Sequence, residues 1–245
     1  MISNLICNIL ASILSLFSFN NDKDMKTFEK DTYRLKSGKY IEITFYGHAS
    51  LCIDYNGKTI YVDPVSEYAD FSKERKADIL LVTHEHYDHF DKKAIHDLTK
   101  ENTTFIANPN TINLYGEGVA IRNYETTDIS GISIKAFPAY NTTEGRDKFH
   151  PQGRDNGYLI TIEEFRIYVS GDTEIIHNEA EIRNCDILFL AVNQPYTMTI
   201  DQASYFANQI QPKFLYPYHT TDTDITRLYE VMKQYSFKTI IHSMK

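Results

Sequence analysis

The segment His84-Glu85-His86-Tyr87-Asp88-His89 sets three imidazoles beside the Asp88 carboxylate within six residues. Neutral imidazole nitrogen and carboxylate oxygen are the ligands that Zn²⁺ and similar ions take, and such a cluster packs poorly in a core. His84 and His86 are two apart, so extended backbone leaves both on one side. Asp88 and His89 are adjacent and diverge. One short loop can therefore present two ligands to one ion and two to a second. The plain alternative is a solvated loop after a strand, which is what single histidines usually mark.

The cluster must be delivered by something rigid. Ile79-Leu80-Leu81-Val82-Thr83 is a continuous apolar run with the character of a buried strand, and it ends on His84. Upstream, Ile41–Tyr46, Leu51–Tyr55 and Thr59–Asp63 read as strands, with the hairpin signal Asn56-Gly57 between the last two. Downstream, Lys92–Lys100 reads as a helix with Ile95 and Leu98 on one face and His96 on the surface. Thr103–Ala107 resumes strand character, Asn108–Ser130 has no clear element, and Ile132–Pro138 alternates as a strand. Asn141–Asn156 is a long polar loop, of a length usually tied to function. Gly157–Ile162 and Phe165–Ser170 predict a hairpin that ends at Gly171-Asp172-Thr173. Asp186–Val192 is a further buried strand. Thr199–Gln202 has the form of a capping box, opening a helix with Ala203, Phe206, Ala207 and Ile210 on one stripe. Lys213–Pro217 is a strand leading to Tyr218-His219. A helix from Asp222 to Tyr235 and a strand from Phe237 to His242 close the chain. Two similar halves of this kind predict an α/β four-layer αββα sandwich, with two mixed β-sheets and helices on the outer faces. Asp172 and His219, both at strand ends, would then converge with the histidine cluster at one edge.

The 245 residues suit one large domain or two small ones, and 42% hydrophobic content with 14 Phe and 18 Tyr provides a sizeable core. A net charge of −8 argues against non-specific nucleic-acid binding, so no nucleic-acid partner is expected. Cys7, Cys52 and Cys185 lack CxxC spacing and imply neither a disulfide framework nor a thiolate metal site; Cys52 and Cys185 read as small buried residues. Residues 1–24 form an apolar segment set apart from a domain spanning 25–245. Leu5 to Phe19 is apolar enough for a signal core and short for a spanning helix, yet no Lys or Arg precedes it. Export signal, membrane anchor and upstream sequence before a start at Met25 compete. The chain is exported under the first reading and cytoplasmic under the last. Membrane contact is expected only if the segment is retained.

Thr-His-Glu-His-Tyr-Asp-His, Gly-Asp-Thr and the late Tyr-His together resemble the metallo-β-lactamase-fold hydrolases, in particular their small single-domain members. Gly47-His48-Ala49-Ser50, Val62-Asp63-Pro64, Pro138-Ala139-Tyr140-Asn141 and Tyr196-Thr197-Met198 support the likeness, which runs from about residue 40 to the C-terminus. The resemblance implies two divalent ions, zinc first, with Mn²⁺, Fe²⁺ or Ni²⁺ as substitutes. His84 and His86 would hold the first ion; Asp88, His89 and His219 the second; Asp172 would bridge them. Asp63 would orient a ligand histidine, or simply be a turn residue before Pro64. Many relatives carry a further histidine where this chain has Asn141. His150 could complete the first site, Asn141 could bind weakly through its carbonyl oxygen, or His48 could contribute. His48 is equally a candidate pocket residue. His177 and His242 read as non-functional.

The chemistry so implied is hydrolysis of an ester, lactone or phosphodiester by hydroxide generated between the ions, with Asp172 bridging and Asp88 a candidate proton acceptor. Arg146, Lys148 and Arg154 lie in one loop of an acidic protein. Arg154 is the candidate for gripping an anionic group on a small-molecule substrate, against the alternative of a merely solvated loop. Tyr196, Met198 and Tyr218 are candidate pocket walls, and Asn141 a candidate substrate contact. Three rival classes exist. A di-iron oxidoreductase normally carries a flavin domain for which this chain has no room. A nucleic-acid-processing enzyme needs a basic surface. A metal- or ligand-binding scaffold without turnover is kept open by Asn141.

Overall fold

A strand that is apolar at every position needs cover on both faces. The computed structural model, which describes residues 27–176 and 179–244, supplies that cover with two sheets between two helical layers. The first sheet runs β1 (Glu29–Arg34), β2 (Tyr40–Gly47), β3 (Ser50–Tyr55), β4 (Lys58–Val62), β5 (Ile79–Val82), β6 (Thr104–Ala107) and β7 (Val119–Ala120) in spatial order. The second comprises β8 (Thr126–Ile129), β9 (Ile132–Ala139), β10 (Asp155–Ile162), β11 (Phe165–Val169), β12 (Ile187–Ala191), β13 (Phe214–Tyr218) and β14 (Lys238–Thr239), again side by side in chain order. Each sheet is mixed in the same way. Its first four strands pair antiparallel and its last three join in parallel. The similar halves read from the sequence are thus two copies of one sheet plan.

Side-chain alternation builds the layers. Ile60 and Val62 on β4, with Ile79 and Leu81 on β5, face the second sheet and meet Ile160, Ile167, Val169 and Phe189. Their neighbours Tyr61, Leu80 and Val82 face the other way, onto Ile95 and Leu98 of α1 (Lys92–Leu98). On the second sheet Leu188, Leu190 and Leu215 pack against Phe206 and Ile210 of α3 (Ile200–Ile210) and Leu228 and Met232 of α4 (Ile225–Met232). The α3 helix (Ile200–Ile210) opens with the expected capping box of Thr199 and Gln202 and buries Ala203, Phe206, Ala207 and Ile210. Cys52 and Cys185 are buried free thiols. Among the described residues no helix is long and apolar enough to cross a membrane.

Four local expectations change. The polar edge strand β1 was not expected, because Glu-Lys-Asp-Thr-Tyr-Arg lacks an apolar alternation and gains its order by pairing with β2. The unassigned stretch Asn108–Ser130 contains α2 (Pro109–Tyr115), capped by the Asn108 side chain, started by Pro109 and stopped by Gly116 in the left-handed conformation. The last helix, α4, covers only Ile225–Met232, because the Asp224 side chain caps it at Arg227 N–H. The closing strand shrinks to β14. The expectations for residues 1–24, Cys7, Met25 and His177 fall outside the described residues.

Ligands in such α/β sheets gather beyond the carboxyl ends of the parallel strands. Asp63 follows β4, His84 follows β5 after Thr83, Asp172 follows β11 and His219 follows β13. The two sheets are tied together at this edge: Asn156 N–H donates to the Thr83 carbonyl (3.1 Å) and His219 N–H to the His48 carbonyl (3.0 Å).

Candidate metal centre

Asp63 is fully buried at the end of β4 and organises the first ring of the site. Its Oδ1 accepts from Thr83 N–H (2.8 Å); its Oδ2 accepts from Thr83 Oγ1 (2.8 Å) and His89 Nδ1 (2.8 Å). Thr83 Oγ1, having given its proton to Asp63, accepts from His84 Nδ1 at 3.0 Å. His84 and His89 are thereby held with Nδ1 protonated and Nε2 turned to the cavity; on His84 that Nε2 is a free lone pair, and on His89 it faces the Asp172 carboxylate.

The fate of Asn141 follows the same logic. Its Nδ2 donates to the Tyr196 carbonyl (2.7 Å), a group that can only accept, so Oδ1 must face the other way. There it accepts from His150 Nδ1 at 2.7 Å. His150 is buried and its Nε2 is left facing His84 and His86, the three side chains offering nitrogens within 4.8 Å of one another. Asn141 therefore makes no contact with a ligand; it orients His150, and its expected place as a substrate contact is corrected. The loop is closed by Asn141 N–H donating to the His150 carbonyl (2.9 Å).

Asp172 sits centrally, held in a turn that only glycine permits. Gly171 has φ +61°, and a Cβ there would lie 2.7 Å from the Asn156 carbonyl oxygen. Asp172 Oδ1 is 3.3 Å from His89 Nε2; Oδ2 is 3.3 Å from His219 Nε2 and 3.5 Å from His150 Nε2. A second group forms around Asp88, whose Oδ2 lies 3.2 Å from His48 Nε2 and 3.5 Å from His219 Nε2. His48, Asp88, His89 and His219 again offer atoms within 4.8 Å of one another. His48 thus stands with this group and not with His84 and His86, correcting the suggestion that it completes the first site. His48, Asp63 and His219 all have positive φ (51°, 45° and 50°), local strain of about 1–3 kcal/mol each that is held where function needs it.

The donors present fit divalent ions. His84 Nε2 faces His86 Nδ1 at 3.0 Å, two nitrogens that need a proton or a cation between them. Among the described residues, His89 Nε2, His150 Nε2, Asp172 Oδ1 and both ring nitrogens of His219 are buried without a hydrogen-bond partner. Leaving such a group unsatisfied costs about 1–3 kcal/mol, so their convergence marks a place made for a ligand. The electrostatics divide the site in two. Burial holds His84 well below, and His86 below, the ordinary imidazole range, and lowers His150 to about 4. These three are neutral and ready to ligate. Burial also opposes charge on His89 and His219, but Asp172, helped by Asp63, holds His89 well above its ordinary value. Asp172 and Asp88 together push His219 up to about 9. Against the opposing effect of burial, His219 and His89 hold Asp172 far below the carboxylate range, and His219 and His48 do the same for Asp88.

A cavity of about 740 Å³ opens over these groups. His48, His150, Asp172, Asn193 and His219 form its buried floor, and exposed Tyr196 lines its mouth. Tyr218 does not line it. That side chain is fully buried between the sheets and its hydroxyl accepts from Gly171 N–H (3.0 Å). Met198 is core. Arg154 is also corrected: its guanidinium makes a bidentate pair with buried Asp155 (2.7 and 2.8 Å), donates to the Phe149 carbonyl (2.9 Å) and reaches Glu85 (3.3 Å). A group so occupied braces the loop instead of gripping a substrate anion. Burial pushes Asp155 up to about 7 against the downward pull of Arg154. Arg146 is paired with Glu174 and Gln194, and Lys148 lies over the Phe149 ring.

Glu174 escaped the sequence reading. Its buried carboxylate accepts from the Thr142 and Thr143 amides (2.7 and 2.6 Å) and both hydroxyls, and so pins the loop that carries His150. Its position directly after Gly171-Asp172-Thr173 was the one available signal. His242 links Glu29 and Asp31 and lies outside the site, and His96 is exposed. A cleft of about 830 Å³ at the opposite edge, around Arg34, Phe165 and Lys213, has no ligating cluster among the described residues.

Residues 42–219 match the family profile described as the beta-lactamase superfamily domain. The chain is 31% identical over 191 residues to a UPF0173 metal-dependent hydrolase of Ligilactobacillus salivarius, covering 73% of this chain and 84% of that one. A crystal structure from Parabacteroides distasonis, named for a metal-dependent hydrolase, superposes with a TM-score of 0.87 at 48% identity, over 89% of this chain and 100% of that one. Igni18, a metallo hydrolase of Ignicoccus hospitalis, shares the fold with a TM-score of 0.70 at 19% identity, over 83% of this chain and 95% of that one.

Proposed function

This chain belongs to the β-lactamase superfamily and, within it, to the metal-dependent hydrolases, and on that premise we propose that it hydrolyses a small ester, lactone or phosphodiester with two divalent ions, zinc first among them. The observation that carries this reading is the convergence of buried ligand atoms on His89, His150, Asp172 and His219, none with a hydrogen-bond partner among the described residues, beneath a cavity large enough for a small molecule. His84, His86 and His150 would hold one ion; Asp88, His89 and His219 the other; Asp172 would reach both. Divalent ions so held supply Lewis acidity and bring the pKa of bound water from 15.7 down to about 7.

The chain's own groups do the rest. Asp63 and Asn141 hold ring orientation through Nδ1, so that ligand positions do not reorganise as charge develops. Asp88, between His48 and His219 in the cavity, is a candidate proton acceptor but a weak base, because the same contacts that suit it to ligation hold its carboxylate ionised. The turnover-free scaffold drew its support from Asn141 as a lost ligand. His150 offers an imidazole at that point, and this favours the enzyme.

The test is elemental analysis of purified and metal-reconstituted protein, with hydrolysis of p-nitrophenyl acetate, a γ-lactone and bis-p-nitrophenyl phosphate, beside His84→Ala and His89→Ala. Two ions per chain and turnover that both substitutions abolish are expected. Full activity in both variants, or no bound metal after reconstitution, would end the proposal.

A further inference from the structure

Six histidines converge on the candidate metal centre, and the two-ion reading uses five of them. The sixth, His48, is 6% exposed and lines the cavity floor beside Asp88. Two roles are open to it. It can donate a hydrogen bond to Asp88, or it can ligate an ion together with Asp88. The distances choose between them.

An imidazole N–H that bonds to a carboxylate closes to about 2.7–2.9 Å. His89 Nδ1 does so with Asp63, at 2.8 Å. His48 Nε2 stops 3.2 Å from Asp88 Oδ2. That separation belongs with the donor atoms that face one another across the site. Asp172 Oδ1 is 3.3 Å from His89 Nε2, and Asp172 Oδ2 is 3.3 Å from His219 Nε2. Asp88 Oδ2 is 3.5 Å from His219 Nε2 and 3.9 Å from His89 Nε2. Two donors about 2.1 Å from one ion, at angles of about 90–140°, stand about 3.0–3.9 Å apart. The donor atoms of His48, Asp88, His89 and His219 all fall within 4.8 Å of one another.

Backbone and ring are both held in that position. His48 has φ +51°, and its carbonyl accepts from the N–H of His219, itself at φ +50°. Two neighbouring residues thus keep a conformation that costs about 1–3 kcal/mol each, which is kept where a site needs it. Tyr68 lies parallel to the imidazole, with centroids 5.5 Å apart and 10° between the planes. Gly47 makes room for Tyr68, since a Cβ there would stand 3.0 Å from Tyr68 Cδ1. On its other side the His48 ring meets the His219 ring, with centroids 3.8 Å apart.

We propose that His48 is a metal ligand, the fourth donor of the group formed with Asp88, His89 and His219. The proposal rests on the two-ion part of the reading above and divides its sites. Four protein donors make a closed, structural zinc site, and three make a site that keeps a position open. Before Asp172 is counted, the group around Asp88 has four donors and the group of His84, His86 and His150 has three. The group around Asp88 is therefore the structural site, and the trio is the one that leaves room for a substrate atom.

The experiment reads the ring nitrogens of the zinc-loaded full chain, labelled with ¹⁵N-histidine, by long-range ¹H–¹⁵N correlation. A zinc-bound nitrogen, a protonated one and a free lone pair have separate shifts. Six rings with a zinc-bound nitrogen are expected, and five or fewer overturn the proposal whether or not any variant folds. His48→Asn identifies the His48 signals, since asparagine tolerates the left-handed backbone. The ring lost in this variant should be a zinc-bound one. Loss of a ring with Nε2 protonated makes His48 a hydrogen-bond donor to Asp88 and overturns the proposal. Chelator competition on the same variant should show one zinc affinity weaker by about tenfold or more and the other within twofold, with His150→Ala marking the second. Two unchanged affinities, or a loss at the site of His150, overturn it as well. Turnover is read separately. Six zinc-bound rings without hydrolysis of an ester, lactone or phosphodiester uphold His48 as a ligand and end the hydrolase reading; a protonated His48 Nε2 in an active enzyme does the reverse.

Discussion

Replacing Asn141 by alanine removes an acceptor from His150 without touching any ligand atom, so it isolates the orienting role. In the native protein the 2.7 Å bond from His150 Nδ1 fixes the tautomer and the plane of the ring, and the 2.7 Å bond to the Tyr196 carbonyl fixes Asn141 itself. Loss of such an outer partner costs about 10–100-fold in metal affinity, or about 1.4–2.8 kcal/mol. The Tyr196 bond adds about 1 kcal/mol of folding stability, which denaturation measures separately. The loss should fall on one ion only, because the side chain of Asn141 hydrogen-bonds His150 and the Tyr196 carbonyl, and His150 belongs to the group with His84 and His86. Competition of the protein with a chromophoric chelator resolves two zinc affinities, and the weaker binding in Asn141→Ala should appear in one of them. Asn141→Asp, which retains an acceptor, should recover most of it. Two affinities both within twofold of wild type, in a folded Asn141→Ala protein, would refute the argument. So would an equal loss at both.

Ion uptake should be coupled to protons unequally. His84, His86 and His150 are neutral at pH 7, while His89 and His219 hold protons in the metal-free protein, so loading the site around Asp88 should release protons and loading the other should release none. The dependence of the binding heat on buffer ionisation enthalpy measures this, and the reverse assignment would contradict it. The same raised value gives a sign for metal-free stability. The contribution of His219 is complete below pH 6.5 and is lost as pH rises through about 9, so the melting temperature of the metal-free chain should fall between pH 7 and 10. Arg154→Ala should act on folding and not on substrate affinity. It leaves fully buried Asp155 without its bidentate partner, a loss of about 3 kcal/mol measurable in urea. A raised KM at unchanged stability would restore the anion-gripping role.

The candidate ligands were legible because the chemistry is local. Four of them lie in one six-residue segment whose side chains make no sense as packing, and the apolar run before it announces the strand that aims them. The capping box, the Asn56-Gly57 hairpin and the α3 stripe were legible for the same reason, since caps, turns and helical faces depend on neighbours within a few residues. Polar β1 was not, because its order comes from pairing with β2 and not from its own pattern.

What the sequence alone determined is therefore the fold class, the strand-end positions of the candidate ligands and the presence of a His/Asp cluster able to bind metal. The tertiary structure decided everything that turns on long-range pairing. It assigned His150 to the first cluster, because Asn141 is itself anchored across the fold by the Tyr196 carbonyl. It drew Arg154 away from the cavity, because buried Asp155 and Glu85 claim the guanidinium. It placed His48 with Asp88. Periodicity reports which face of an element is buried. It carries no information about which distant partner will occupy a charged or hydrogen-bonding group, and here those partners set the roles of Asn141, His150, Arg154 and His48.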